Sequence, residues 1–396
     1  MLLFVPGLLR GKRETAGWPL FALVAATFLL PVLQLVPLPP GIWQGLPGRE
    51  LVRESFDIIG IENAWFQVSV DRGRTIVALL ALLGPTAALF LYRGGGRRDI
   101  AAGLLLLVGL ALLNFVFGAL QFAADGPYPY GNPSEKRFFG FFASHNTSGI
   151  FMIIGLLALI GYDRISEAGA WRRMLHLLAG LLLVFAIVLT RSRSSTALLV
   201  VPLAFAAWYA LKDLRRASRK ARLVAVAVVA IVAAGIGAVA LTNERLGETW
   251  TRYEDLEDSR PAIWEDTRFG IERYWPVGSG MGTFDEVFQV EESLEALGVP
   301  RAGRAHSEYL ELALEAGIAG LALLAAWAVF LAASWWRRRS LVSTPGINAA
   351  GLALLCIAAQ GVIDFPMRNM AVLTVAGLLV ALLTAPGSLK RGRPIA

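Results

Sequence analysis

The chain has 396 residues, of which 56% are hydrophobic and only 17% are charged. Soluble domains contain about 25% charged residues, so this composition predicts an integral membrane protein rather than a soluble domain with a large core. The net charge of +7 raises the question of nucleic-acid binding. The distribution of charge described below explains that excess, so no nucleic-acid partner is predicted. The single cysteine, Cys356, excludes an intrachain disulfide.

The apolar segments predict an all-α integral membrane protein with about 10 transmembrane helices, because a membrane-spanning helix needs about 20 apolar residues. The predicted spans are residues 17–37, 75–92, 100–122, 147–162, 174–190, 194–211, 223–242, 308–335, 347–363 and 369–385. The weakest of them is 147–162, which is short. The neighbours 174–190 and 194–211 are also weak, because only a few residues around Ser192 separate them.

The lysines and arginines predict how the helices are oriented. With the N-terminus placed in the cytoplasm, more than half of the 37 basic residues fall on the cytoplasmic side and most of the 30 acidic residues fall outside. Cytoplasmic loops of membrane proteins carry an excess of lysine and arginine. Both termini are therefore predicted to be cytoplasmic. Residues 1–396 are predicted to form a single membrane domain, and residues 243–307 a large, partly helical outer loop within it.

A second long outer segment covers residues 38–74. It contains Trp43, Trp65 and Phe66, and aromatic side chains are favoured at the membrane–water interface. We therefore expect this segment to lie partly in the interface.

Two arginines stand in the segment TRSRSS, between the predicted fifth and sixth spans. Arg191 and Arg193 can act as ordinary anchors that reach lipid headgroups. A tight turn restricts that reach, however, and outer loops usually avoid arginine. We interpret both residues as functional, with Arg193 ahead of Arg191.

The outer loop contains a predicted helix that begins near Arg260. Arg260, Trp264 and Arg268 repeat every four residues and therefore share one helical face. An amphipathic surface helix, in which Arg268 and Arg273 pair with neighbouring glutamates, explains those two residues equally well. For Arg260 we favour a functional role.

Residues 276–284 contain a GxGxG pattern. A nucleotide site would need a strand before such a pattern and a helix after it, inside a cytoplasmic βαβ unit. This run instead follows a predicted helix on the outer side. We interpret it as a tight turn whose backbone approaches the membrane or an anionic headgroup.

The acidic run at residues 254–258 (EDLED) is the one candidate for a metal site. The run is continuous, unlike a gathered set of ligands, and no histidine or cysteine joins it. We predict a solvated surface and no metal site.

His306 begins the stretch HSEYLELALEAGIAG, at the mouth of a hydrophobic helix. On a helix His306 would share a face with Tyr309 and Leu310, while Glu315 and two other glutamates lie on another face. An imidazole titrates near neutral pH, which suits a general base, although a structural hydrogen bond at a helix start is the alternative. A carboxylate as deep in a span as Glu315 is costly unless it is paired.

Two shorter signals lie at other outer connections. Asp364 and Arg368 belong to the charged turn DFPMR between the last two spans, where the pair can simply tie the hairpin together. His145 and Asn146 precede the fourth span and can either contact a substrate or cap the helix.

Together these residues resemble the O-antigen ligase family, which also includes O-antigen and exopolysaccharide polymerases. Four patches carry the resemblance in family order: TRSRSSTALL, RPAIW with the following WPVGSGMGTF, HSEYLELALEAGIAG, and DFPMR. The upstream segments FGALQF and FFASHNTSGIFM are also similar, so the resemblance covers residues 100–385. One departure is Ser307, where the family usually has asparagine.

The resemblance implies a metal-independent glycosyltransferase of the bacterial inner membrane that needs no cofactor and has its active site on the periplasmic face. Such an enzyme passes a glycan from undecaprenyl diphosphate to an acceptor sugar hydroxyl, here that of a lipid A core, and inverts the anomeric centre. The implied partners are the undecaprenyl-diphosphate-linked glycan donor, a glycolipid or lipid-linked glycan acceptor, and membrane lipids.

The resemblance also implies roles for individual residues. Arg193 and Arg260 correspond to the family's diphosphate-binding arginines, with Arg191 in support, and His306 corresponds to the base that activates the acceptor hydroxyl. The candidates for supporting roles are Arg268, Tyr309, Glu315, Asp364, Arg368 and Asn146.

Two other functions stay open at this point. A polymerase would use a second lipid-linked glycan as the acceptor, and one sequence does not reveal acceptor contacts. A transporter or flippase of an anionic solute would bury charges at mid-membrane in broken helices. The arginines here are predicted at the outer boundary instead, which favours an enzyme.

Overall fold

The computed structural model describes residues 17–92, 96–124, 128–130, 138–166, 169–216, 260–294, 302–338 and 344–385. The elements within them are α1 (Gly17–Gln34), β1 (Pro37–Leu38), α2 (Pro40–Trp43), α3 (Glu50–Ile59), β2 (Phe66–Gln67), α4 (Arg72–Ala81), α5 (Leu83–Tyr92), α6 (Arg97–Ala124), α7 (His145–Ser166), α8 (Ala170–Leu189), α9 (Arg193–Leu198), α10 (Val200–Arg216), α11 (Arg260–Tyr274), α12 (Phe284–Glu291), α13 (Glu308–Arg338), α14 (Thr344–Gln360), a 3-10 turn (Pro366–Arg368) and α15 (Met370–Thr384). Strands β1 and β2 form one short antiparallel ribbon, and helices make up the remaining regular structure of these residues. The predicted all-α class is therefore confirmed.

Seven helical segments of the described chain are long and apolar enough to cross a membrane. They are Gly17–Gln34, Arg72–Tyr92, Arg97–Gln121, His145–Ser166, Ala170–Leu189, Arg193–Arg215 and Glu308–Arg338. Two shorter apolar helices follow, Thr344–Gln360 and Met370–Thr384. The predicted span at 223–242 lies outside the described residues, and each of the other predicted spans coincides with one of these helices. The chain is a multi-pass membrane protein.

Helix α7 was predicted as the short and weak span 147–162, yet it has 22 residues and is the most buried of the seven segments. It packs against α6, α8, α9 and α14. Glycines allow this close approach: a Cβ at Gly155 would lie 2.2 Å from the Cβ of Ala111, and one at Gly161 would lie 2.6 Å from the Cβ of Ala349. Polar residues at its start are tolerated because they bond to other protein groups rather than to lipid.

Helix α13 is broken at Gly317, whose φ of 52° and ψ of −142° are not helical. At about 1.5 Å per residue, residues 318–338 are roughly 31 Å long, which alone matches the ~30 Å hydrocarbon core of a bilayer. Residues 308–316 and 318–338 are therefore two helical segments, and Glu315 lies just before the break between them. The depth of Glu315 within a span stays a prediction.

The segment between α1 and α4 folds over the short ribbon and has its own small core. Trp43 is wholly buried, and its indole N–H donates to the carbonyl of Ala64 (3.0 Å). Its ring packs against Phe56 and Phe66, with centroids 5.3 and 5.4 Å away. Trp43 therefore serves the protein core, and the interfacial location expected for part of this segment stays a prediction. Trp65, in contrast, is 64% exposed.

A buried arginine ties this segment to the glycine-rich run. Arg49 is wholly buried, donates hydrogen bonds to the carbonyls of Pro47 (2.9 Å), Gly278 (3.0 Å) and Val68, and lies 5.1 Å from the ring centroid of Tyr274. Burial lowers the pKa of Arg49 to about 10. Among the described residues, Arg49 has no carboxylate within ion-pair distance. The three carbonyls and the ring of Tyr274 supply partial negative charge to its guanidinium group instead.

By its internal contacts the chain divides into two compact units, one of residues 1–202 and 262–396 and the other of residues 203–261. The first unit contains most of the spans and the residues described below, apart from Arg260. In the second unit, residues 203–216 are helical. There Nζ of Lys212 lies 4.6 Å from the ring centroid of Trp208, one turn earlier, as in a cation–π contact.

Candidate active site

His306 lies just before α13 and not on it, because the helix begins at Glu308. Its φ of 49° is in the left-handed region, which is uncommon for a residue other than glycine. The prediction that His306 shares a helical face with Tyr309 and Leu310 is therefore wrong. Glu308, two residues later, donates its backbone N–H to the carbonyl of Gly361 (2.8 Å), which fixes the start of the helix.

The backbone in front of His306 is held from two sides. The N–H of Ala305 donates to Oε1 of Glu311 (3.0 Å), and the carbonyl of Ala305 accepts the indole N–H of Trp264 (2.8 Å). Strained backbone conformations persist only where the surroundings over-determine them, and they are concentrated at functional sites. These contacts therefore hold the unusual conformation of His306.

The imidazole of His306 faces a buried carboxylate. Its Nδ1 lies 3.8 Å from Oδ1 of Asp364, slightly beyond hydrogen-bond distance, and its ring meets the edge of Phe365 at 5.0 Å between centroids. Nδ1 is buried without a hydrogen-bond partner in the described residues, whereas the side chain as a whole is 36% exposed. The accessible part of the ring is therefore the side away from Nδ1. A small movement that forms an Nδ1–H···Oδ1 bond would leave Nε2 able to accept a proton.

Asp364 is held in place by further hydrogen bonds. Its Oδ2 accepts the side-chain amide of Gln360 (3.2 Å). Burial opposes ionisation, but His306, the backbone of Phe365 and the Gln360 amide together lower the pKa of Asp364 below its ordinary value. The carboxylate is thus ionised at neutral pH and can stabilise a protonated imidazole.

Buried polar contacts continue from Asp364 to the turn at residues 190–193, which carries Arg191 and Arg193 and which we call the arginine turn. The same Gln360 amide lies 3.2 Å from the carbonyl of Asn146, and that carbonyl also accepts the hydroxyl of Ser195 at 3.4 Å. Ser195 belongs to α9, which begins at Arg193. We call the series Asp364, Gln360, Asn146 and Ser195 the polar bridge. It connects the partner of His306 to the helix that carries Arg193.

The arginine turn alternates buried serines with exposed arginines. Ser192 is buried and caps α9 by accepting the N–H of Ser195 (3.2 Å), and Ser194 is also buried. Arg191, with φ of 54°, and Arg193 are exposed. The serines therefore hold the turn against the protein while both arginines point to its surface.

Arg368 binds the glutamates of α13 and not Asp364. Its Nε donates to Glu311 (3.1 Å) and its Nη2 to Glu315 (2.8 Å), and both glutamates are wholly buried. Burial works against its charge, but Glu315 and Glu311 outweigh that effect and raise the pKa of Arg368. Arg304 also contacts Glu311, at 3.3 Å. Asp364 and Arg368 were expected to pair with each other. Instead, Asp364 faces His306, and Arg368 binds Glu311 and Glu315.

These contacts hold the turn at residues 364–368, between α14 and α15, against the start of α13. We call it the last turn. In addition to the Arg368 pairs, the N–H of Met367 donates to the carboxylate of Glu308. Tyr309 adds a hydrogen bond from its hydroxyl to the carbonyl of Ala358 on α14 (2.7 Å), so it has a structural role here. Through this docking, Asp364 is carried to the imidazole.

Helix α11 begins at Arg260 and runs to Tyr274, as the four-residue spacing predicted. Trp264, one turn after Arg260, bonds to Ala305 as described above. Arg268 pairs with Glu272 at 3.4 Å, and both side chains are largely exposed, as expected for an amphipathic surface helix. Arg273 instead contacts Glu291 at 2.6 Å and Glu50 at 3.5 Å, so its partners are not the neighbouring glutamates that the sequence suggested.

The glycine-rich run repairs the break in α13. Ser279 and Gly280 donate their N–H groups to the carbonyls of Leu314 and Glu315, both at 2.9 Å, and Ile318 donates to the carbonyl of Pro276 at 3.1 Å. These bonds replace the helical hydrogen bonds lost at Gly317. The tight turn was expected to bring this backbone to the membrane or a headgroup; the structure shows that it approaches a helix, and its approach to a headgroup stays a prediction.

Glycine is required where this run crosses the helix. Gly278 has φ of 90°, and a Cβ there would lie 2.6 Å from the carbonyl oxygen of Glu315. Gly280 has φ of 116°, and a Cβ there would lie 2.4 Å from the hydroxyl of Ser69. Larger residues would separate the run from the broken helix.

The described residues contain no group of three or more histidine, cysteine or acidic side chains that could hold a metal ion. The acidic run at 254–258 lies outside the described residues. Sequence reasoning missed Gln360, Ser195 and Arg304. Gln360 had a usable signal, because an amide at the end of an apolar helix needs hydrogen-bond partners.

The chain matches the family model described as O-antigen ligase over residues 178–325. The matched range contains the arginine turn, Arg260 and His306, whereas Asn146, Asp364 and Arg368 lie outside it. The comparison with curated proteins found no match. Residues 178–325 of this multi-pass helical protein therefore match the O-antigen ligase family, and this match supports a membrane enzyme of ligase or polymerase type.

Proposed function

We propose that the protein transfers a glycan from undecaprenyl diphosphate to a sugar hydroxyl of a lipid A core, on the periplasmic face of the bacterial inner membrane. The observation that carries the proposal is the polar bridge. It links the partner of the half-exposed His306 imidazole to the helix that begins at Arg193. A proton acceptor and a cationic turn are thus joined through buried contacts.

The proposed role of His306 is that of a general base. Nε2 takes the proton of the acceptor hydroxyl as its oxygen attacks the anomeric carbon. Asp364 stabilises the imidazolium that forms, and the lowered pKa of this carboxyl keeps it ionised. Asp364 is therefore a positioning residue, because it acts through the imidazole and has no contact with the sugar in this scheme.

The proposed role of the arginines is to stabilise the leaving group. As the new glycosidic bond forms, the bond from the anomeric carbon to the diphosphate oxygen breaks, and undecaprenyl diphosphate leaves with the electron pair. Guanidinium groups bind such oxygens in bidentate fashion and stay charged at all relevant pH values. We assign this role to Arg193 with Arg191 in support. Arg260 is assigned to it on the family resemblance alone.

A single displacement of this kind inverts the anomeric centre and needs neither a metal nor a cofactor. The donor already carries a good leaving group, so the enzyme chiefly has to stabilise charge. Arg368 is not part of this step, because its guanidinium group is taken up by Glu311 and Glu315.

The break in α13 is the one observation that transport would also predict. Transport sites in broken helices use the unpaired carbonyls and helix ends for the solute. Here the carbonyls of Leu314 and Glu315 accept Ser279 and Gly280, so these oxygens are already used. The break alone therefore does not favour transport over glycan transfer.

The proposal is tested by reconstituting the purified protein in liposomes with the lipid-linked glycan, with and without lipid A core. Glycan attached to the core, and formed only when the core is present, is the expected result. A ladder of longer lipid-linked glycans from donor alone would instead assign a polymerase. Movement of donor across the bilayer without any new glycosidic bond would assign transport.

A further inference from the structure

Helix α3 (Glu50–Ile59) is sharply amphipathic. At 100° per residue its apolar side chains fall on one side and its charged side chains on the other. The apolar set is Leu51, Val52, Phe56, Ile58 and Ile59, and the charged set is Glu50, Arg53, Glu54 and Asp57. No residue of α3 is buried, and Ile58 and Ile59 are 84% and 66% exposed. The part of the chain that the structure describes thus leaves the apolar face largely uncovered.

The start of α3 is firmly attached to the protein. Arg49, immediately before the helix, is wholly buried and bonds to the carbonyl of Gly278. Glu50 contacts Arg273 at 3.5 Å, and Phe56 packs against Trp43. Because the base of the helix is anchored, the exposed apolar side chains toward its end have a fixed direction.

The position of α3 along the chain places it at a membrane surface. Strand β1 begins three residues after the span α1, and strand β2 ends five residues before the span that begins at Arg72. The pairing of the two strands brings both span ends together. Exposed apolar side chains continue along this excursion at Val36, Ile42 and Trp65, and tryptophan is favoured at the membrane–water interface.

We propose that α3 is an interfacial helix whose partner is the membrane itself, with Leu51, Ile58 and Ile59 inserted into the leaflet at the end of α1. Interfacial helices bury their apolar face about 5–10 Å into the boundary between headgroups and acyl chains. The charged face carries three acids and one arginine. Apolar burial, rather than attraction to anionic headgroups, therefore drives the insertion. This inference is independent of the proposed glycan transfer.

The insertion of α3 can be tested by labelling single cysteines on its two faces. Cys356 is the single cysteine and is buried, so Cys356→Ala provides a background without thiols. Into it, Ile59→Cys and Asp57→Cys are introduced separately and labelled with an environment-sensitive fluorophore. The two positions are about 160° apart on the helix. Each full-length protein is placed in phosphatidylcholine nanodiscs and exposed to aqueous iodide or to lipids with a nitroxide near the headgroup.

We expect nitroxide lipid to quench the label at position 59 at least about threefold more than iodide does, and the label at position 57 to show the reverse. Adding anionic lipid should leave both patterns unchanged. Equal iodide quenching at both positions would overturn the proposal, since α3 would then lie in water. Protection of position 59 from both quenchers would also overturn it, because a protein surface would then cover the face.

Discussion

Asp364 presents Oδ1 to Nδ1 of His306 at 3.8 Å, although the two residues belong to different connections between helices. The pair forms because Arg368 and Glu315 dock the last turn against the start of α13. An imidazole with one nitrogen beside a buried carboxylate and its other side accessible is suited to accept a proton from a hydroxyl.

The first prediction concerns the carboxylate. Asp364→Asn keeps the shape of the side chain but removes the charge that supports an imidazolium. We expect the rate of glycan transfer to fall by about 10²- to 10⁴-fold, as for the corresponding change in a Ser-His-Asp triad. Asp364→Glu, which restores the charge, should recover part of the rate. A rate of Asp364→Asn within about twofold of the unchanged protein would remove the carboxylate from the mechanism.

Asp364 also predicts how stability depends on pH. Because its folded pKa lies below its ordinary value of about 3.9, the ionised carboxylate stabilises the fold above that pH. This contribution is lost as pH falls through the folded pKa. Thermal unfolding measured from pH 7 downward should therefore show a decrease in Tm below about pH 4 that is smaller in Asp364→Asn. Identical curves for both proteins would contradict the assignment.

If Arg193 and Arg260 bind the diphosphate, replacing either planar guanidinium group by the compact ammonium group of lysine should change activity. Arg193→Lys and Arg260→Lys should each lose most glycan transfer, because an ammonium group cannot reproduce the bidentate guanidinium contact. Arg268→Lys is the matched control, since Arg268 forms an exposed pair with Glu272 and should tolerate the change. Full activity of the first two variants would indicate that these arginines are only headgroup anchors.

The buried ion pairs predict a stability difference between two arginines that share Glu311. Arg368→Ala leaves two buried carboxylates without their main partner, which should cost about 3 kcal/mol or more and lower Tm clearly. Arg304→Ala removes a more exposed contact and should cost no more than about 1 kcal/mol. Equal decreases in Tm would show that Arg368 is not the residue that docks the last turn.

Metal removal provides a further test. The described residues contain no group of three metal ligands, and the proposed displacement needs none. EDTA should therefore leave glycan transfer unchanged in the reconstituted system. A strict requirement for added Mg²⁺ would point to the acidic run at 254–258 as a metal site.

Hydropathy predicted the spans well because polar groups are costly in lipid, so the segments that cross the membrane are long apolar runs in the sequence. It undervalued α7, whose polar first turn is buried by other helices and not by lipid. It also missed the break at Gly317. A helix and the loop that repairs it are joined by backbone hydrogen bonds, which leave little trace in residue types.

The candidate site was predictable only in part. Spacing and the family resemblance indicated His306 and the arginines, but pairing between Asp364 and the imidazole depends on tertiary docking. No periodicity in the chain encodes that docking. Gln360 was the accessible clue, because a buried amide in an apolar helix must bond to something.

The role of His306 as the general base is tested by measuring glycan transfer by His306→Ala in proteoliposomes that contain the lipid-linked glycan and lipid A core. We expect transfer to fall to the background of protein-free liposomes, while membrane insertion and Tm stay close to those of the unchanged protein. Transfer at a near-normal rate would contradict it, because the proton of the acceptor hydroxyl would then have to go elsewhere.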